Sequence, residues 1–199
     1  MAIEGVERQR CLIDTAAALA ELLLAPLGSR WLHVQAVAKR AADLSITVPA
    51  GGRDELIAAA WLHDIGYAPE VARTGFHPLD GARYLLDAGW PSPVVNLVAH
   101  HSGARYEAAE RGLADLLGTF PFDDSMSSDA LAAADLTIGP DGQPLIYSQR
   151  VAEILTRYPA DHPVHRTWLK IRPVMATVVA RVDDRIDNSQ STIGYRLFR

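Results

Sequence analysis

The chain has 199 residues, 49% of them hydrophobic, which is enough for one domain to bury a sizeable core. Its formal net charge of -5 leaves no basic surface for a nucleic-acid backbone or an anionic membrane, while a small phosphorylated ligand, whose charge a bound metal can balance, stays open. A single cysteine, Cys11, excludes an intrachain disulfide and a multi-cysteine zinc site and fits a reducing cytoplasm.

Apolar residues recur three and four apart along most of the chain, and no run of alternating β-branched residues interrupts them, so the expected fold class is all-α, a helical bundle. The apolar stretch Thr15 to Leu27 follows Glu7, Arg8 and Arg10 and superficially has the form of a secretory leader. Glu4 and Glu7 are acidic, Glu21 interrupts the run and Pro26 ends it short of the ~20 residues that span a bilayer, so an amphipathic helix is the better reading.

Ser29 is expected to cap a helix that carries Trp31, His33, Val34, Val37, Ala38 and Ala41 and ends near Asp43. After the irregular Pro49 to Gly52 turn, Asp54 can cap a helix that runs into His63-Asp64 and stops at Gly66. A loop from Tyr67 to Phe76 leads to His77-Pro78, a cap followed by proline in the first turn, and a helix through Leu86. Further helices are expected near Val94 to His100, Ala130 to Leu136, Tyr147 to Arg157 and Pro163 to about Arg185, with Gly118 to Asp129 as a loop over the surface or the mouth of a site. From Asp187 onward, the polar run Asn188-Ser189-Gln190-Ser191 suggests a loosely held tail over 187–199. No repeat or linker is evident, so residues 1–199 are read as one domain with a motif core of about 29–142 and the helices of 147–185 packed on it.

Seven histidines are present, and His33, His63, His77, His100 and His101 all fall in the first half, near helix ends or within apolar helices. Neutral imidazole with neighbouring carboxylate is a common donor set for divalent metals. Alone, the His63-Asp64 doublet could equally be a solvated helix end, and His33 a satisfied core histidine. Asp135, just ahead of the Gly139-Pro140-Asp141-Gly142 turn, could be a polar residue at a helix end.

Together, Trp31-Leu32-His33, the string Ala59-Ala60-Trp61-Leu62-His63-Asp64-Ile65-Gly66 and Leu131-Ala132-Ala133-Ala134-Asp135 resemble the ordered signature of the HD-domain metal-dependent phosphohydrolases, over roughly Trp31 to Gly142. The resemblance implies an HD-like helical bundle in which His33, His63, Asp64 and Asp135 bind a divalent metal. Phe76-His77-Pro78-Leu79-Asp80-Gly81-Ala82 and Val98-Ala99-His100-His101-Ser102-Gly103 are similar to segments of two-metal HD proteins, among them bacterial dinucleoside tetraphosphate hydrolases. This adds His77, His100 and His101 as candidates for a second ion, with at most one of the adjacent pair binding tightly, since helix neighbours do not share a face. Asp64, His77 and His101 are the residues expected to serve the reaction.

The implied activity is hydrolysis of a phosphate ester or anhydride of a nucleotide or another small phosphorylated metabolite, with one or two ions whose identity (Fe, Mn, Zn, Ni or Mg) is left open. No organic cofactor is implied, and a homodimer is left open. Many relatives carry lysine after the doublet, where this chain has Tyr67, so another cation must meet the phosphate; Arg73, Arg83 and Arg105 are nearest in sequence. The Gly-Tyr-Pro portion of the HD-GYP motif is replaced by Ser102-Gly103-Ala104-Arg105-Tyr106, which disfavours cyclic-dinucleotide hydrolysis. Competing readings are an HD-fold di-iron oxygenase, with the same ligand types, and a non-catalytic nucleotide sensor. His162 and His165 are read as surface residues.

Overall fold

The computed structural model describes the backbone of residues 2–196 and the side chains of residues 11–189. The described residues form ten α-helices joined by short 3-10 turns, with one isolated bridge, Ile138 to Pro144, in place of any sheet. The helices are α1 (Ala2–Leu24), α2 (Ser29–Leu44), α3 (Arg53–Leu62), α4 (His77–Asp87), α5 (Ser92–His100), α6 (Ala104–Glu110), α7 (Ala114–Leu117), α8 (Met126–Asp135), α9 (Tyr147–Arg157) and α10 (Pro163–Arg196). The fold is all-α, as the apolar spacing predicts.

Helix α3 is the centre, packed against α1, α2, α5 and α8. Its Leu56, Ala58, Ala59, Ala60 and Leu62 are all fully buried. A helix that is apolar around most of its circumference has to lie inside. Its alanines let neighbours approach closely without loss of side-chain entropy. Helix α8 repeats the device with buried Ala130, Ala132, Ala133 and Ala134. These small-residue surfaces meet, and the C-terminal ends of the two helices carry the His63-Asp64 doublet and Asp135.

Several boundaries differ from the sequence reading, each for a local reason. Ser29 is the first residue of α2, because Gly28, at φ 58°, makes the tight connection out of the Ala25–Leu27 turn. Gly52 precedes α3, so Asp54 lies in the first turn, where its charge suits the helix N-terminus without capping it. Helix α8 starts at Met126, inside the expected loop, because the Ser125 hydroxyl accepts the Ser128 N–H at 3.3 Å. The short helices α6 and α7 lie where no helix is expected.

The largest departure is α10, which runs on to Arg196 where a tail is expected. Neither proline nor glycine breaks the polar run before Gly194, and the Ser189 hydroxyl donates to the Arg185 carbonyl at 2.7 Å. The buried Asp129 carboxylate on α8 clamps α10, accepting from Arg181 Nε at 3.0 Å and Arg185 Nη2 at 2.5 Å. Residues 197–199 of the expected tail, and the side chains of Glu4, Glu7, Arg8 and Arg10, lie outside the described residues. Among the described residues no helix is long and apolar enough to cross a membrane.

Burial predicts a sharp contrast between two leucines. Leu62 is fully buried in α3 while Leu22 on α1 is 74% exposed. Leu62→Ala is expected to lower unfolding free energy by about 2–5 kcal/mol, and Leu22→Ala by less than about 0.5 kcal/mol, in urea titrations. Equal effects at the two positions would contradict the placement of α3.

Candidate metal centre

Six of the seven expected ligands converge from five places in the fold. Helix α2 brings His33, the end of α3 brings His63 and Asp64, the first residue of α4 is His77, the turn after α5 brings His101, and α8 ends on Asp135. His33, His63, Asp64, His101 and Asp135 are buried and His77 is half-buried. Asp64 Oδ2 lies 3.8 Å from His33 Nε2 and 3.5 Å from His63 Nε2, and Asp64 Oδ1 lies 3.2 Å from His77 Nε2. His77 Nε2 and His101 Nε2 are 3.1 Å apart.

These contacts define two groups, His33 with His63 and Asp64, and Asp64 with His77 and His101, in each of which the donor atoms all lie within 4.8 Å of one another. Ligands about 2.0–2.2 Å from a common ion sit roughly 3–4 Å from each other, so each group has the spacing of a metal site. Asp64 belongs to both. Asp135 stands at the edge, its Oδ1 3.1 Å from His33 Nε2 and its Oδ2 accepting from the Ser102 hydroxyl.

Three imidazoles are oriented by backbone carbonyls. His33 Nδ1 lies 3.0 Å from Gly139 O, His63 Nδ1 2.7 Å from Ala60 O, and His101 Nδ1 2.7 Å from Val98 O. A carbonyl only accepts, so each Nδ1 carries a proton and each Nε2 is the ring atom that faces the cluster. Among the described residues the buried Nε2 of His63 has no hydrogen-bond partner. An orphaned buried acceptor costs about 1–3 kcal/mol, a cost that an ion at this position would remove. The donor set therefore fits a divalent cation.

Local sequence explains why the pieces meet. A Cβ on Gly66 would fall 2.0 Å from the His77 carbonyl oxygen, so only glycine lets the start of α4 lie against the turn after the doublet. Buried Asp80, one turn into α4, accepts the backbone N–H groups of Arg73 and Thr74, each at 2.9 Å, and the Thr74 hydroxyl at 2.8 Å, which fixes the loop ahead of His77. Phe76 occupies the cap position of α4, because the His77 side chain is drawn to Asp64 and His101. Ser102, at φ 48°, and Gly103, at φ 80°, turn the chain left-handed after His101 and aim the Ser102 hydroxyl at Asp135.

Arg30, which carries no signal in the sequence, and Tyr67 complete the cluster. Arg30, one turn ahead of His33 on α2, donates to Asp64 Oδ2 at 2.6 Å. Its guanidinium lies over the Tyr67 ring, 4.1 Å from the centroid, and the opposite stacking partner of Tyr67 is His77, at 4.1 Å and 18°. Tyr67, standing where relatives carry lysine, thus orients His77 and Arg30. The cation beside the doublet comes from α2.

Burial opposes the Asp64 charge, yet Arg30, His63 and His77 together hold its carboxyl well below the usual carboxylate range. Burial likewise opposes Asp135, which the His33 hydrogen bond and charge, with His63 and Arg150, hold well below that range. Desolvation pushes His63, His77 and His101 below the ordinary imidazole value. Burial and the Asp64 charge push the Tyr67 phenol up, so it stays neutral. Metal binding needs ionised carboxylates and deprotonated imidazole nitrogens, and the directions at Asp64, Asp135, His63, His77 and His101 all run that way.

The cluster opens into a cavity of about 250 Å³ lined by Asp64, His77, His101 and Asp135 together with Arg157, Tyr158 and His162. His162, expected at the surface, is half-buried in this wall and stacks on Tyr158; His165 is also half-buried, its Nδ1 2.9 Å from Tyr158 O. His100 does not join the cluster. It ends α5 facing the other way, its Nε2 2.8 Å from Phe120 O, so the His100-His101 pair divides as helix geometry requires. None of Arg73, Arg83 and Arg105 lines the cavity: Arg73 donates to the carbonyls of Ala72 and Glu70, and Arg105 packs over Phe122. The arginines that do line it are Arg30, Arg111, Arg150 and Arg157.

The buried histidines predict how stability responds to acid. Their folded-state pKa values are depressed from 6.5, so below that pH the unfolded chain binds more protons than the folded one and the folded state loses stability. The urea midpoint of metal-free protein is expected to fall as pH drops from about 7 to about 5. A midpoint that holds or rises over that window would contradict the buried neutral imidazoles.

The sequence pattern of the HD domain matches residues 30–137, a little over half of the chain. No curated protein and no solved structure matches it. The matched span holds both metal-sized groups, built on an all-helical frame. This chain belongs to the HD domain family, whose members are generally metal-dependent phosphohydrolases.

Proposed function

We propose that this protein hydrolyses a phosphate ester or anhydride of a small phosphorylated metabolite, mononucleotides included, with two divalent ions that share Asp64. The observation that carries the reading is the membership of one buried carboxylate in both donor groups. His33, His63, Asp64 and Asp135 would hold one ion, and Asp64, His77 and His101 the other. Bound there, divalent ions polarise a phosphoryl oxygen and lower the pKa of water.

The chain's own residues supply the rest. Backbone carbonyls keep three Nε2 atoms aimed inward, so little reorganisation is needed on binding. Four arginines along the cavity supply cationic charge that an acidic chain lacks in bulk. At about 250 Å³ the cavity falls just below the roughly 300–1,000 Å³ of typical ligand sites, which favours a compact phosphate over a dinucleoside polyphosphate.

Two substitutions test the reading. Asp64→Ala is expected to abolish metal retention and phosphate release while leaving helical circular dichroism largely intact. His77→Ala is expected to halve the metal stoichiometry. Unchanged metal content in Asp64→Ala, or an unchanged stoichiometry of one in His77→Ala, would sink the two-ion site. Two irons with oxygen consumption and no phosphate release would replace hydrolysis with oxygen chemistry.

A further inference from the structure

We propose that Arg150, on a helix beyond the matched HD span, is the residue that grips the phosphoryl oxyanion of the substrate. This rests on the hydrolase reading for the identity of the ligand, and on separate observations for the site. Arg150 is buried, at 6% exposure, and lines the same cavity as Asp64, His77, His101 and Asp135.

Its guanidinium is incompletely satisfied. Nη1 donates to Glu153 Oε2 at 2.5 Å, while Nη2 comes only to 3.7 Å of Asp135 Oδ1, beyond a hydrogen bond. Nε is buried and, among the described residues, has no partner. A guanidinium has five N–H donors in a rigid fork, and Nη2, which among the described residues donates no hydrogen bond, is the nitrogen left to meet a ligand in the cavity. A tetrahedral oxyanion offers oxygens at the spacing of that fork, which lysine cannot match.

The neighbouring charges point the same way. Glu153 also takes Arg157, at 2.5 Å, so the one carboxylate that hydrogen-bonds Arg150 is shared between two guanidiniums, while Asp135 is engaged by His33 and Ser102. By contrast Arg111 is matched by Glu107 at 2.7 Å, and Arg30 by Asp64 at 2.6 Å. Arg150 is thus the buried cation with donors to spare. It fills the role left open where Tyr67 replaces lysine, from a different part of the chain.

The test is inorganic phosphate binding to metal-replete protein by calorimetry, with metal content and hydrolysis kinetics measured alongside. In Arg150→Gln and Arg150→Lys, phosphate affinity is expected to fall roughly ten- to hundredfold, as loss of a charged hydrogen bond implies, and KM to rise, with metal content unchanged. Lysine keeps the charge and loses the fork, so it keeps the claim testable if the glutamine variant fails to fold. Unchanged phosphate affinity in a folded variant overturns the assignment while wild-type hydrolysis stands. Loss of metal together with phosphate also overturns it, and makes Arg150 a support for Asp135. Phosphate bound through Arg150 in a wild-type protein that hydrolyses no phosphate ester upholds the oxyanion site and defeats the hydrolase reading.

Discussion

Asp64 is buried, ionised and placed with one oxygen toward His33 and His63 and the other toward His77. A carboxylate removed from water in this way persists only where charge or hydrogen-bond donors repay its desolvation. In this fold the repayment comes from Arg30 and the surrounding imidazoles, which α2, the end of α3 and the start of α4 deliver. Much of the architecture follows. The alanine surfaces of α3 and α8 bring the doublet and Asp135 together, the glycine contact between the doublet turn and α4 sets His77 against Asp64, and the left-handed turn after His101 sets Ser102 against Asp135.

The same constraint links the two ends of the chain. Asp135 closes the cluster from α8, and α8 is locked to α10 through Asp129, Arg181 and Arg185. Helix α9, the connection after it and the start of α10, beyond the matched family span, form part of the cavity wall through Arg150 and Arg157, through Tyr158 and His162, and through Val164 and Trp168. The family core contributes the ion-sized groups. The C-terminal helices shape what can approach them, which is where specificity within a shared fold resides.

Much of this was legible in the sequence because it is local. His33, the doublet and Asp135 stand out as polar residues at fixed places on apolar helices, and the alanine-rich flanks mark α3 and α8 as buried. The resemblance to two-metal HD proteins added His77 and the His100-His101 pair. What sequence could not settle depends on where helices end. The choice of His101 over His100 follows from the end of α5 at His100 and the positive φ of Ser102, and neither has a one-dimensional signature. Arg30 and Arg150 carry no sequence signal because the cluster residues they approach, Asp64 and Asp135, are distant in the chain, whereas Arg73, Arg83 and Arg105 are near the motifs in sequence and do not line the cavity. The extent of α10 was missed for a related reason: a polar run reads as a tail unless the buried Asp129 that holds its root is known.

The account stands or falls on what Asp64 touches. A crystal structure of metal-replete protein, with anomalous scattering recorded at the metal's absorption edge, measures this directly. Two ions flanking Asp64, one beside His33 and His63 and the other beside His77 and His101, are the predicted result. A single ion, or ions bound with Asp64 left uncoordinated, would contradict it.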